Sequence, residues 1–151
     1  MAGKNETKKK PTVLIADDNK QTIDLLKKFF LKAKERGDMV CEVIEAYNGD
    51  EAIQMLDIAQ PELILCDIGM PGKDGFEVLE HFNKFSSKQN LFCFFCFLSA
   101  AEEEKIKAFK GGAMGFLNKK DINYFVITLQ IKAWLRLAEL ERKLAENLPQ
   151  A

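Results

Sequence analysis

The chain has 151 residues, enough for one domain of ordinary size and too few for a second independent core. With 47% hydrophobic and 30% charged residues and a formal charge of −1, its composition excludes a disordered chain, a disulfide scaffold and a globally basic nucleic-acid binder. The longest apolar run, Leu91–Leu98, is far too short to cross a bilayer and no secretory signal pattern is present, so a cytoplasmic protein is expected.

Residues 1–11 read as a basic, disordered tail, with Lys4, Lys8, Lys9 and Lys10 set against Glu6. From there short apolar runs alternate with longer helix-period segments. The runs are Val13–Asp17, Val40–Ala46, Leu63–Asp67, Leu91–Leu98 and Met114–Leu117; helices are predicted over 20–35, 49–58, 75–85 and 101–110, and from Asp121 onward. Five such repeats predict an α/β domain built on a doubly wound parallel sheet, spanning 12–132. Leu91–Leu98 is apolar at consecutive positions, as suits a central strand buried on both faces. Asn48, Gly49 and Asp50 supply a turn and helix cap, and Gly111-Gly112 lets the backbone leave the fourth helix.

Cys41, Cys66, Cys93 and Cys96 lie inside apolar segments, as expected for buried, reduced thiols. Cys93 and Cys96 spell C-x-x-C, but on a strand residues three apart point to opposite faces, which spoils a disulfide or metal site. His81, the only histidine, reads as a surface residue on the polar side of the third helix.

The last segment has neither Pro nor Gly from Asp121 to about Asn147, giving a helix about 40 Å long at 1.5 Å per residue. Val126, Ile127, Leu129 and Ile131 are expected to cover the sheet. Beyond them Ala133, Leu137, Leu140 and Leu144 recur at spacings of four, three and four, close to a heptad seam flanked by charge. Residues 133–151 are therefore an extension of the final helix, expected to self-associate, with a homodimer the first form to test, or to bind a partner. The competing readings are a helix that frays in solvent or one that leads into a further effector.

In an open α/β sheet, ligands collect beyond the carboxyl ends of the strands. Asp17 and Asp18 close the first run and Asp67 closes the third. Three converging carboxylates repel one another, and a hard divalent cation such as Mg²⁺ resolves the conflict while leaving positions for phosphate oxygens. Ser99 follows the fourth run as a hydroxyl and Lys119 the fifth as a cation. Each residue alone has a plainer reading: Asp17-Asp18 or Ser99 as helix caps, Lys119 as a loop lysine. Together they describe a phosphoryl-transfer site, in which a carboxylate attacks and cations offset the charge on the moving group.

The segments Ile15-Ala16-Asp17-Asp18-Asn19, Asp67-Ile68-Gly69-Met70-Pro71-Gly72-Lys73-Asp74-Gly75, Leu98-Ser99-Ala100 and Gly112-Ala113-Met114-Gly115-Phe116-Leu117-Asn118-Lys119 resemble the receiver domain of two-component response regulators. The resemblance runs from Thr12 to the middle of the last helix. It implies a flavodoxin-like five-stranded sheet of order 2-1-3-4-5, here with an extended C-terminal helix. It further implies that Asp67 accepts a phosphoryl group from a histidine kinase or histidine phosphotransfer protein, and that Asp17, Asp18, Asp67 and the backbone carbonyl of Gly69 hold Mg²⁺. Ser99 and Lys119 would bind the phosphoryl oxygens. Ser99 and Phe116 would switch contacts with a partner or second copy on the helix 4/strand 5/helix 5 face. Phe116, lacking a hydroxyl, would have to act through packing.

One position departs from the family. The residue after the lysine is usually Pro, often joined by a cis bond, and here it is Lys120. A non-prolyl cis bond costs about 3–4 kcal/mol, so a trans bond and an altered loop are expected. Gly69 and Ala101, small residues two positions after the acceptor and the hydroxyl, imply ready entry of small phosphodonors. The expected function is a signalling module rather than an enzyme acting on a metabolite, with no direct nucleic-acid or membrane contact. A phosphatase of the haloacid-dehalogenase type shares the residue types, but its nucleophile ends the first strand with a second Asp two residues on. A binding module that kept the fold without phosphorylation would be expected to have lost one of these residues.

Overall fold

The computed structural model describes residues 10–89 and 92–148. Strands β1 (Thr12–Ala16), β2 (Glu42–Ala46), β3 (Leu63–Cys66), β4 (Phe94–Ser99) and β5 (Gly115–Asn118) alternate with helices α1 (Lys20–Glu35), α2 (Gly49–Ala59), α3 (Gly75–Gln89), α4 (Lys105–Lys110) and α5 (Tyr124–Glu146). The strands form one parallel sheet of order β2-β1-β3-β4-β5, as expected. Residues 1–9 of the predicted basic tail, and Leu91 at the start of the predicted fourth strand, lie outside the described residues.

Two apolar layers sandwich the sheet. Leu14, Ile64, Cys66, Phe95 and Phe97 point to the side covered by α2 and α3, where Leu56, Val78, Leu79 and Phe82 meet them. Val13, Ile15, Leu63, Leu65, Cys96 and Leu98 point to the side covered by α1 and α5, against Ile23, Leu26, Phe30, Ile127 and Ile131. The central strands β1 and β3 are buried at every position, which is why they read as unbroken apolar runs. Cys93 and Cys96 fall in opposite layers, so the C-x-x-C pair cannot close. All four cysteines are free, with Cys41 partly exposed and the others buried.

Several elements differ from the sequence reading, among them β4, which begins at Phe94, and α3, which continues to Gln89. The second strand begins at Glu42 rather than Val40; as an edge strand it pairs only with β1, and its length follows that one ladder. The predicted fourth helix divides into a 3₁₀ turn over Glu102–Glu104 and the short α4, because three successive glutamates offer nothing apolar to pack. On α5 the sheet is met by Tyr124, Ile127, Thr128 and Ile131, whereas Val126 and Leu129, expected to cover it, are 41% and 69% exposed. Helix starts are set by side-chain caps: Asn19 Oδ1 accepts from Gln21 N–H, Asn48 Oδ1 from Glu51 N–H and Asn123 Oδ1 from Val126 N–H.

Candidate functional site

Parallel register brings the carboxyl ends of β1, β3, β4 and β5 to one edge: Ala16 lies beside Cys66, Cys66 beside Phe97, and Ser99 beside Asn118. The ladder continues one residue past the strands, with Asp17 N–H donating to Ala46 O at 3.0 Å and Asp67 N–H to Ala16 O at 2.8 Å. Both aspartates are thus held by the sheet itself. Asp17 Oδ1 accepts from Asn19 N–H at 2.8 Å and Asp67 Oδ1 from Ile68 N–H at 2.9 Å.

Asp17, Asp18 and Asp67 each offer a carboxylate oxygen within 4.8 Å of the others. Asp17 and Asp67 are buried, and Asp18 faces solvent. Lys119 reaches in from the end of β5, its Nζ 2.8 Å from Asp17 Oδ2 and 3.3 Å from Asp67 Oδ2. Among the described residues Asp17 Oδ2, which is buried, makes no aligned hydrogen bond, and the Lys119 ammonium is the one cation paired with it. An oxygen in that state, within reach of two further carboxylates, suits a hard cation such as Mg²⁺.

Burial, then the charge of Asp17, push the Asp67 carboxyl above its ordinary pKa, with Lys119 opposing both. Burial works to lower the pKa of the Lys119 ammonium, but its contacts with Asp17 and Asp67 outweigh that and hold it above its usual value. A carboxylate and the cation facing it are thus both shifted from their ordinary values, a pattern common at functional sites.

A family model described as the response regulator receiver domain matches residues 13–129. The chain belongs to that family. It is 33% identical over 107 residues to the chemotaxis protein CheY of Halobacterium salinarum, a match covering 71% of this chain and 82% of the relative. It is 32% identical over 108 residues to the nitrate/nitrite response regulator NarL of Escherichia coli, covering 72% of this chain and 47% of that longer protein, so the chain spans about half of NarL. Among solved structures, a CheY-like receiver domain protein from Methanospirillum hungatei superimposes with a TM-score of 0.73 at 21% identity, covering 88% of this chain and 99% of that one. The receiver domain of the Francisella response regulator 1452 does so with a TM-score of 0.68 at 26% identity, covering 83% and 97%. A receiver domain is a signalling domain, and among the described residues no helix is long and apolar enough to cross a membrane.

In this receiver the remaining expected residues are placed as follows. Ser99 is buried at the end of β4, its Oγ accepting from Ala101 N–H at 3.0 Å, so the hydroxyl also serves the local turn. Gly69 is exposed, two residues beyond Asp67, and a Cβ there would meet nothing within 4 Å. Phe116 is half-buried against the α2–α3 layer. His81 is less free than expected: its ring is 19% exposed, packs on Phe85, and lies 3.0 Å from Asp57 of α2.

The Lys119–Lys120 bond is trans, as expected. The loop after β5 forms a 3₁₀ turn over Lys119–Asp121, in which Lys120 N–H donates to Asn118 Oδ1 at 2.9 Å, a bond that proline in this position would forbid. Asn118 Nδ2 donates in turn to Glu102 Oε2 at 2.9 Å, tying the lysine loop to the loop after Ser99. Sequence reading gave Asn118 no role. Its one signal was a side chain with both donor and acceptor standing directly before the active lysine.

Gly49 and Gly75 were also missed as parts of the site. A Cβ on Gly75 would lie 2.3 Å from Asp67 O, and one on Gly49 would lie 2.0 Å from Lys73 O. Gly75 N–H donates to Ile68 O at 2.7 Å, closing the acceptor loop, and the start of α2 seats that loop from the other side.

Proposed function

We propose that Asp67 is the phosphoacceptor of this receiver, taking a phosphoryl group from the phosphohistidine of a histidine kinase or histidine phosphotransfer protein. The observation that carries this reading is the convergence of Asp17 and Lys119 on the Asp67 carboxylate at the mouth of the sheet. Asp17, Asp18, Asp67 and the Gly69 carbonyl are the groups that would hold Mg²⁺, which when bound offsets carboxylate and phosphoryl charge. An Asp67 oxygen forms the new bond to phosphorus as the P–N bond breaks, and the electron pair stays on the donor imidazole. Lys119, freed from part of its pairing, holds a phosphoryl oxygen, and Ser99 donates its hydroxyl to another. The chain's own chemistry ends with hydrolysis of the aspartyl phosphate.

Output follows from the elements next to Ser99 and Lys119. Ile106, Phe109 and Met114 are 70%, 45% and 47% exposed on the face formed by α4, β5 and α5. A shift of Ser99 toward the phosphoryl group pulls on the loop before α4, and Phe116 repacks on the same face, changing contacts with a protein partner in the cytoplasm.

The test is phosphate transfer from a panel of phosphorylated histidine kinases with Mg²⁺ present. The expected product is acid-labile, hydroxylamine-sensitive label on the wild-type chain, absent from Asp67→Asn and abolished by EDTA. Acetyl phosphate is expected to label the same residue, since Gly69 and Ala101 leave the approach open. Label that persists in Asp67→Asn would sink the assignment, as would steady turnover of phosphate esters.

A further inference from the structure

Helix α5 carries an apolar stripe that its own domain does not use. Val126, Leu129, Ala133, Leu137, Leu140 and Leu144 are all exposed, and Leu148, just beyond the helix, continues the line. Their spacings run three, four, four, then three, four, four, so the pattern repeats every eleven residues rather than every seven. Eleven residues make three turns of 3.67 residues, close to the 3.6 of an ordinary helix, so the stripe stays on one side of a nearly straight α5. The residues that meet the sheet, Ile127 and Ile131 among them, lie on another side, as does the buried Ala138.

Charge on the two borders of the stripe decides what fits it. Arg136 and Lys143 border one side and Glu141 the other. Lys143 is engaged with Glu139 at 3.2 Å, while Arg136 and Glu141 have no ion-pair partner among the described residues. In a two-fold pair of parallel helices opposite borders meet, so Arg136 of one copy faces Glu141 of the other, twice by symmetry. In an antiparallel pair each border meets its own kind, placing cations on cations and Glu141 on Glu141.

We propose that a second copy of this chain docks on the stripe, α5 against α5 in parallel, as a nearly straight or slightly right-handed helix pair. The proposal does not rest on phosphorylation of Asp67, and the two are separable because none of the stripe residues lies in the acidic pocket.

Sedimentation of the full chain at micromolar concentrations is expected to give a dimer. Leu137→Glu with Leu144→Glu is expected to give a monomer that keeps its circular dichroism and its Asp67 labelling. Arg136→Glu or Glu141→Arg alone is expected to raise the dissociation constant about tenfold, and the two together to restore it. Under mild oxidation Leu144→Cys is expected to cross-link to itself, while Arg142→Cys, on the opposite side of the helix, is not. A wild-type chain that stays monomeric overturns the proposal and leaves the stripe to a different protein. A dimer that survives the double glutamate variant, or a charge swap that fails to restore association, overturns it as well.

Discussion

Asp17 uses its two oxygens differently: Oδ1 is spent on the turn into α1, and Oδ2 is left facing Lys119 and Asp67. Such division is what lets a buried carboxylate be both fixed in place and available to a ligand. Asp67 is fixed as tightly, and part of its fixing comes from a residue with no side chain. Gly75 lets α3 start against the Asp67 carbonyl, where any Cβ would sit at 2.3 Å. Gly75→Ala should therefore cost about 1–3 kcal/mol of stability in urea melting and slow Asp67 labelling, because the backbone must retreat from the acceptor. Gly69→Ala, with open space around it, should stay within about 0.5 kcal/mol of wild type. Equal stability of the two variants would contradict this account of the acceptor loop.

At the scale of elements, β4 and β5 are joined beyond their ladder by Asn118, which holds Lys120 N–H with one end and Glu102 with the other. Asn118→Asp keeps an acceptor for Lys120 but sets a carboxylate against Glu102; Asn118→Ala removes both contacts. Amide exchange at Lys120 should therefore quicken in Asn118→Ala and remain slow in Asn118→Asp, and equal exchange in the two would show that the cap does not hold the loop. Strand centres were legible in the sequence because burial on both faces leaves an unbroken apolar signature, as in Val13–Ala16 and Leu63–Cys66. The acidic pocket was legible because Asp17 and Asp67 directly close such runs, and Lys119 stands two residues after the fifth, weaker run. The phase of α5 was not: Val126 and Ile127, or Leu129 and Ile131, are equally apolar, and only the direction in which the helix leaves the lysine loop settles which of each pair meets the sheet. Asn118 was equally hidden, since its partner Glu102 is sixteen residues away in the chain.

Across the whole molecule the pocket is a region of unbalanced charge, three carboxylates against one ammonium. A ligand that binds only the folded state stabilises it in proportion to its saturation, about 2.7 kcal/mol at a hundred times its Kd. Mg²⁺ should accordingly raise the melting temperature of the wild-type chain. Lys119 is paired with the oxygens that such a cation would take, so Lys119→Met should melt lower in EDTA and gain more from Mg²⁺ than wild type does, while Asp17→Asn should gain little. Equal gains in all three proteins would place the cation elsewhere.

The joint between α5 and the sheet is marked by Trp134, the chain's single tryptophan, stacked on Phe94 of β4 with ring centres 5.0 Å apart and planes 18° from parallel. Its ring also lies against Gly115, where a Cβ would come within 3.0 Å of it. The protein thus contains one indole chromophore, seated between the first residue of β5 and the helix that carries the apolar stripe. Light absorbed by indole and not by phenol reads that joint alone, so a fluorescence change that precedes loss of far-ultraviolet dichroism on heating would time the detachment of the helix from the sheet without any added label.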